Sequence, residues 1–293
     1  PIDSLAYHMQ QNHFPLWLMA RGAIKDAKDI SAVSSRMPLH AERLREAIME
    51  ILEGNQKETF EGKTAPFEAV KDFREGTIVT LAGGSCGGKG RGIAFLNTLI
   101  NNVDLPENLS EIDIRVPLTT IIGTDEFGRF LELSGIDTAT EDFQHYPEIK
   151  KRFVSGVLSR SLRDRLQFFL RKVQGPLAVR SSSLFEDSLS QPASGIFDTY
   201  ILPNTDASLQ RRMDDLTTAI KLVYASLFSP AARAYFSALG RSVEEEKMAV
   251  VIQKLVGRKN EGRYYPHFSG VVSSYNYYPT EGLHAEDGYC AMA

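Results

Sequence analysis

Apolar residues recur at helical spacing through the first 60 residues. In PLHAERLREAIMEILEG they fall at Leu44, Ile48, Ile51 and Leu52, the three- and four-residue steps of one helix face. Ser34 and Ser35, ahead of Pro38, are expected to start this helix, and Gly54 to end it. The region reads as a helical packing module, with Trp17 in its core and Arg21 on its surface. The period then changes. Residues 77–82 (TIVTLA) form a β-branched and apolar run that predicts a strand, followed by a glycine-rich turn and a helix through RGIAFLNTLI. Strand material follows around VPLTTIIG, then a short helix at DEFGRFLEL. Phe153, Val157, Leu162, Leu166, Phe169 and Val173 predict one long helix over 146–173, ended by Gly175-Pro176. PLAVRSSS is a short strand with a polar end, and 206–228 is a helix with Leu209, Met213, Leu216, Ile220, Val223 and Leu227 on one face. MAVVIQKLV (248–256) is a buried strand, and FSGVVSSYN (268–276) is expected to be its hairpin partner. The mixture predicts an α+β fold with antiparallel pairs and argues against a doubly wound parallel sheet.

Composition narrows the class. With 293 residues and 43% hydrophobic content, the chain can build one large core or two modest ones. A net charge of -4 gives no general reason to expect a nucleic acid or an anionic membrane as partner. Cys86 and Cys290 are far apart and make no disulfide framework, which fits a reducing cytoplasm. No apolar run approaches the roughly 18 residues that span a bilayer. The start, PIDSLAYHMQQNHF, lacks the pattern of a signal peptide and an initiator Met, and the chain stops at EDGYCAMA. It is therefore expected to be a fragment of a longer polypeptide.

Three segments carry candidate chemistry. In GGSCGGKGRG (83–92) six of ten residues are glycine. A glycine loop between strand and helix presents backbone N–H groups to an anion, and Lys89 adds a point charge suited to phosphate; the alternative is a flexible turn with an ordinary exposed lysine. Gly83, Gly88 and Lys89 meet part of the Walker A spacing, but Gly90 stands where Ser or Thr should hold magnesium, which argues against a P-loop NTPase. A helix start can activate a thiol such as Cys86, yet no histidine partner is identifiable and a small filler residue suffices. In LAVRSSSLFEDSLSQPASGIFDTY (177–200), the Arg180 fork suits a pair of phosphate oxygens and the following serines can donate to the same anion; the alternative is an arginine held in a salt bridge. After Glu186 and Asp187, small residues lead to Gly195 and Thr199, a composition suited to a lid. Gln253, a polar amide in an apolar strand, needs partners, either a base or ribose or neighbouring backbone. Tyr264, Tyr265, Phe268, Tyr275, Tyr277 and Tyr278 offer either a stacking surface or sheet-face packing.

In combination and order, GGKG with its helix, VPLTTIIGTDEFGRFLELSGI, AVRSSSLFEDSLSQPASGIFDTY and AVVIQKLV with FSGVVSS resemble the amino-terminal ATP-binding domain of pyruvate phosphate dikinase and phosphoenolpyruvate synthase, which rifampicin phosphotransferases share. The resemblance covers roughly residues 77–280. It implies an ATP-grasp fold in which Lys89 and Arg180 contact ATP phosphates, Gly87 and Gly88 form the turn, Gly195 and Thr199 belong to the lid, and Gln253 lies near the adenine. It also implies magnesium. The family's metal-binding Glu and Gln and its final Arg would fall beyond residue 293, so the resemblance implies no metal ligand within these residues. The phosphohistidine domain and the pyruvate-binding barrel would be partner domains of the same longer polypeptide. Transfer would run from ATP to a histidine outside this chain, and the fragment alone is expected to be inactive. Two departures stand out: Ala193-Ser194 replaces the usual Phe-Ala ahead of the lid glycine, and Ser183 replaces a small residue, often Ala. The expected organisation is a helical module over 1–60 and an ATP-binding domain over 61–293. A regulatory or scaffold module that binds ATP without transfer, and an antibiotic phosphotransferase, are the competing readings.

Overall fold

The computed structural model describes residues 7–9, 11–20, 24–36, 41–55, 64–70, 73–102, 112–138, 145–183, 195–280 and 282–293. Two compact units divide at Lys254 and Leu255. The first opens with helices α1 (His13–Ala20), α2 (Ile24–Arg36) and α3 (Ala41–Asn55). They close a small core of their own from Met9, Leu18, Ala27, Ile30, Leu44 and Ile48. Ser34 and Ser35 lie inside α2 rather than starting α3, and Gly54 lies inside α3 rather than ending it. Trp17 is 46% exposed and stacks on Phe14, so it is a surface ring and not a core one. Arg21 lies outside the described residues.

A six-stranded sheet follows, in the order β1 (Thr64–Pro66), β2 (Ile78–Ala82), β3 (Thr119–Ile122), β6 (Met248–Lys254), β4 (Leu177–Ser183), β5 (Thr199–Leu202). The first three strands run parallel, and β6, β4 and β5 are joined by antiparallel ladders, so the sheet is mixed. Its helices are α4 (Gly87–Asn102), α5 (Thr124–Ser134), α6 (Tyr146–Ser155), α7 (Arg160–Lys172), α8 (Leu209–Ser226) and α9 (Pro230–Ala238). Because strand side chains alternate, each central strand feeds two layers. Val79, Leu81, Ile122, Val179, Val250 and Ile252 face the large core with α5 to α9. Ile78, Ile121 and Val251 face the other way, under Ile93 and Ala94 of α4.

Two further expectations change around the sheet. The single helix over 146–173 is two helices, α6 and α7, broken at Gly156. A Cβ at Gly156 would press into Phe130 and the Ser134 hydroxyl, so the chain turns where α5 comes close. Ser159 then caps α7, and its N–H and hydroxyl both donate to the buried Glu126 carboxylate, at 2.9 and 2.8 Å. Val157 falls in the break and is exposed. Second, β6 does not pair with 268–276. Its two edges are occupied by β3 and β4.

Within the second unit, β7 (Arg258–Asn260) and β8 (Arg263–Tyr265) form a hairpin through Glu261 and Gly262, both at positive φ, as a primed two-residue turn requires. Separately, β9 (Gly270–Ser273) pairs with β10 (Tyr289–Met292). Tyr265, Phe268, Tyr275, Tyr277 and Tyr278 are exposed and Tyr264 is half-buried, so sheet-face packing does not account for most of these rings. Among the described residues no helix is long and apolar enough to cross a membrane.

Candidate functional site

The glycine turn runs off β2 into α4. Gly84 and Gly87 take φ of 91° and 70°, a region open to glycine. A Cβ on Gly87 would overlap the carbonyl and hydroxyl of Ser182, so the turn can lie on β4 only because that side chain is missing. The start of α5 holds the turn from the other side. Ser85 N–H donates to Thr124 Oγ1 at 2.9 Å, and Asp125 N–H donates to the Gly83 carbonyl at 3.2 Å. Gly87 N–H donates to Ser85 Oγ. Several amides that sequence reasoning offered to an anion are thus engaged in holding the turn. Lys89 projects from the first turn of α4, where the helix dipole also favours an anion.

Cys86 is half-buried against Ile78, Ile121 and Val251. That is the place of a small packing residue, and no histidine belongs to the cluster.

Arg180 sits in the middle of β4, opposite Val251 of β6 and Thr199 of β5. Directly opposed residues share a face. Residues 178, 180 and 182 therefore point to the α4 side together with Val251, Gln253 and Thr199. Arg180 and Gln253 are diagonal neighbours across one ladder, about 7–8 Å apart. Among the described residues Arg180 has no ion-pair partner, which removes the salt-bridge reading for those residues. The serines that follow do not act as one group. Ser181 and Ser183 point to the large core, and only Ser182 shares the Arg180 face. Its hydroxyl proton is committed: Gly90 N–H donates to the oxygen at 2.9 Å, and the hydroxyl donates to the Cys86 carbonyl at 2.7 Å. The expectation that these serines donate to the same anion as Arg180 is corrected accordingly.

Gln253 is half-buried. Its Nε2 donates to Thr119 Oγ1 at 3.1 Å, and Thr119 Oγ1 donates to the Pro117 carbonyl at 2.8 Å. With its only proton given to Pro117, Thr119 can only accept from Gln253. The amide is thereby oriented, and its Oε1 has no hydrogen-bond donor among the described residues. Thr199 is exposed at the start of β5. The preceding Asp198 accepts from Tyr200 at 2.8 Å and from Tyr146 at 3.4 Å, with Lys150 Nζ 3.7 Å away. Burial first, and then Asp198, raises the Tyr146 and Tyr200 hydroxyls above the usual tyrosine range. This cluster ties the beginning of β5 to α6. Gly195 is exposed at φ 77°, a conformation that favours glycine. The lid residues 184–194, with Glu186, Asp187, Ala193 and Ser194, lie outside the described residues.

Gly87, Gly88, Lys89, Arg180, Thr199 and Gln253 are therefore grouped on and beside one sheet face, and Gly195 lies four residues before Thr199. Sequence reasoning missed Thr119 and Thr124, and it read Ser182 as an anion donor where it is a prop of the turn. The period-2 relation of Ser182 to Arg180 was available in the sequence, whereas contacts to residues 39 and 96 positions away were not.

A sheet face carrying an arginine, with a glycine turn and a lysine docked beside it, has the chemistry of an anion-binding domain. Residues 84–290 match the family described as pyruvate phosphate dikinase, AMP/ATP-binding domain, and the chain belongs to that family. It is also similar to the "Uncharacterized phosphotransferase YvkC" of Bacillus subtilis (strain 168), 27% identical over 157 residues. The matched stretch is 53% of this chain but only 17% of that relative's length.

Proposed function

We propose that the chain is the ATP-binding part of a phosphotransferase of the phosphoenolpyruvate synthase and pyruvate phosphate dikinase type, built as an ATP-grasp-like domain over 61–293 behind a helical module over 1–60. The carrying observation is that Arg180, Thr199 and Gln253 share one sheet face with the docked Lys89 turn. In this reading Lys89 and Arg180 neutralise phosphate oxygens, and Gly87 and Gly88 let the backbone come close. Gly195 and Thr199 contribute the lid side. Gln253, held by Thr119, offers its Oε1 to the amino group of adenine, a donor that guanine lacks at that position. Phosphoryl transfer depends mainly on such positioning and charge stabilisation.

The acceptor in this reading is a histidine on another domain of a longer polypeptide, with pyruvate downstream. The word phosphotransferase in the relative's name supports group transfer, and the relative's greater length supports further domains; the histidine and pyruvate come from the family resemblance alone. Among the described residues no group of three His, Cys, Asp or Glu side chains is placed to hold a metal ion. In this reading magnesium would rely on the phosphates of ATP more than on these residues.

The test is to incubate the intact polypeptide with ATP labelled at its β or γ phosphorus and to look for acid-labile label on histidine. Label that appears in the parent and disappears in Lys89→Ala supports the proposal. ATP binding with no protein-bound label would leave an ATP-binding module without transfer and sink the phosphotransferase reading.

A further inference from the structure

We propose that Ser182 is a positioning residue for the phosphate grip, fixing the Lys89 turn at a set distance from Arg180. This rests on the ATP-binding reading above. Ser182 is fully buried. It accepts from Gly90 N–H at 2.9 Å and donates to the Cys86 carbonyl at 2.7 Å, so one hydroxyl closes both sides of the turn. Its backbone carbonyl occupies the space that a Gly87 side chain would need. Lys89 is bonded directly to Gly90, and Arg180 lies two residues back along the same strand face, about 7 Å from Ser182.

The hydroxyl has one proton and it goes to Cys86, so Ser182 has nothing left to donate to a nucleotide. Its effect must pass through its neighbours. Two cations that grip one polyphosphate gain most when their separation is fixed before binding, because the cost of ordering them has already been met. An alanine at 182 would leave the Gly90 amide and the Cys86 carbonyl without their buried partner. The turn would then drift relative to β4, while the adenine side, built from Thr119 and Gln253, would stay as it is.

The test compares Ser182→Ala with the parent in the intact protein, by calorimetric titration with ATP and with adenosine and by amide exchange of peptides covering 83–92. We expect ATP affinity to fall about tenfold, as for the loss of one to two buried hydrogen bonds. Adenosine affinity should be unchanged, and exchange of the turn amides should rise. In a Lys89→Ala background, Ser182→Ala should produce little further loss of ATP affinity. Equal losses for ATP and adenosine, or no loss for ATP, would overturn the proposal, as would unchanged exchange of the turn. A parent protein that binds neither ligand would defeat the ATP reading itself, a separate outcome from a parent that binds ATP and a variant that binds it equally well. If Ser182→Ala does not fold, Ser182→Cys carries the same comparison, with a weaker donor and acceptor of similar shape.

Discussion

Gly87→Ala should damage the protein, while Gly92→Ala in the same helix should help it. Gly87 sits at φ 70°, and an added Cβ would overlap the Ser182 carbonyl and hydroxyl. The left-handed conformation costs an L-residue about 1–2 kcal/mol. Relieving an overlap with strand backbone adds roughly 1–3 kcal/mol, because α4 must lift from β4. The expected loss is therefore about 2–5 kcal/mol. Gly92 lies one turn further along α4, exposed, with nothing within 4 Å of the place a methyl group would take. Alanine there should stabilise by about 0.5–1 kcal/mol through backbone entropy alone. Urea unfolding of both variants reads the difference, and an ATP titration reads its consequence, since only Gly87→Ala moves Lys89 away from Arg180. Equal unfolding midpoints for the two variants would refute the docking of the turn on Ser182.

Three other outcomes follow from the same structure. Thr119→Val removes the acceptor that orients Gln253, so the preference for ATP over GTP in competition binding should fall several-fold, about 1 kcal/mol for one hydrogen bond, with little loss of stability. Ser159→Ala removes both the cap of α7 and a partner of buried Glu126, and should lower stability by about 1–3 kcal/mol in chemical unfolding. Tyr146 and Tyr200 keep their protons in the folded protein at pH values where the unfolded chain releases them, so stability is intact below about pH 10 and falls as pH rises above it; melting curves of Tyr146→Phe should fall less steeply in that range.

The sequence was a good guide where a segment's pattern decides its own structure. β2 and β6 follow from the apolar runs TIVTLA and MAVVIQK, β4 from LAVRSSS, and α8 from the helical spacing of its Met213 to Val223 face. Its failures lie where distant residues decide. Gly156 reads as a tolerable helix residue until Phe130 is packed against it. FSGVVSSYN looks like the neighbour of MAVVIQKLV because it is next along the chain, yet both edges of β6 are taken by strands that come much earlier in the chain. Trp17 is large and apolar, but the small core of α1 to α3 closes without it. For the site, residue chemistry pointed to Lys89, Arg180 and Gln253, whereas the side chains that hold them, Ser182 and Thr119, are common hydroxyl residues with no local signature.

The most direct test of the central claim is an ATP titration of the parent protein, Lys89→Ala, Arg180→Ala and the double variant. If both cations grip one polyphosphate, each single change should weaken ATP binding by about 10- to 100-fold, in line with charge-assisted hydrogen bonds, with adenosine affected far less. ATP affinity that stays at the parent value in both single variants would contradict the account.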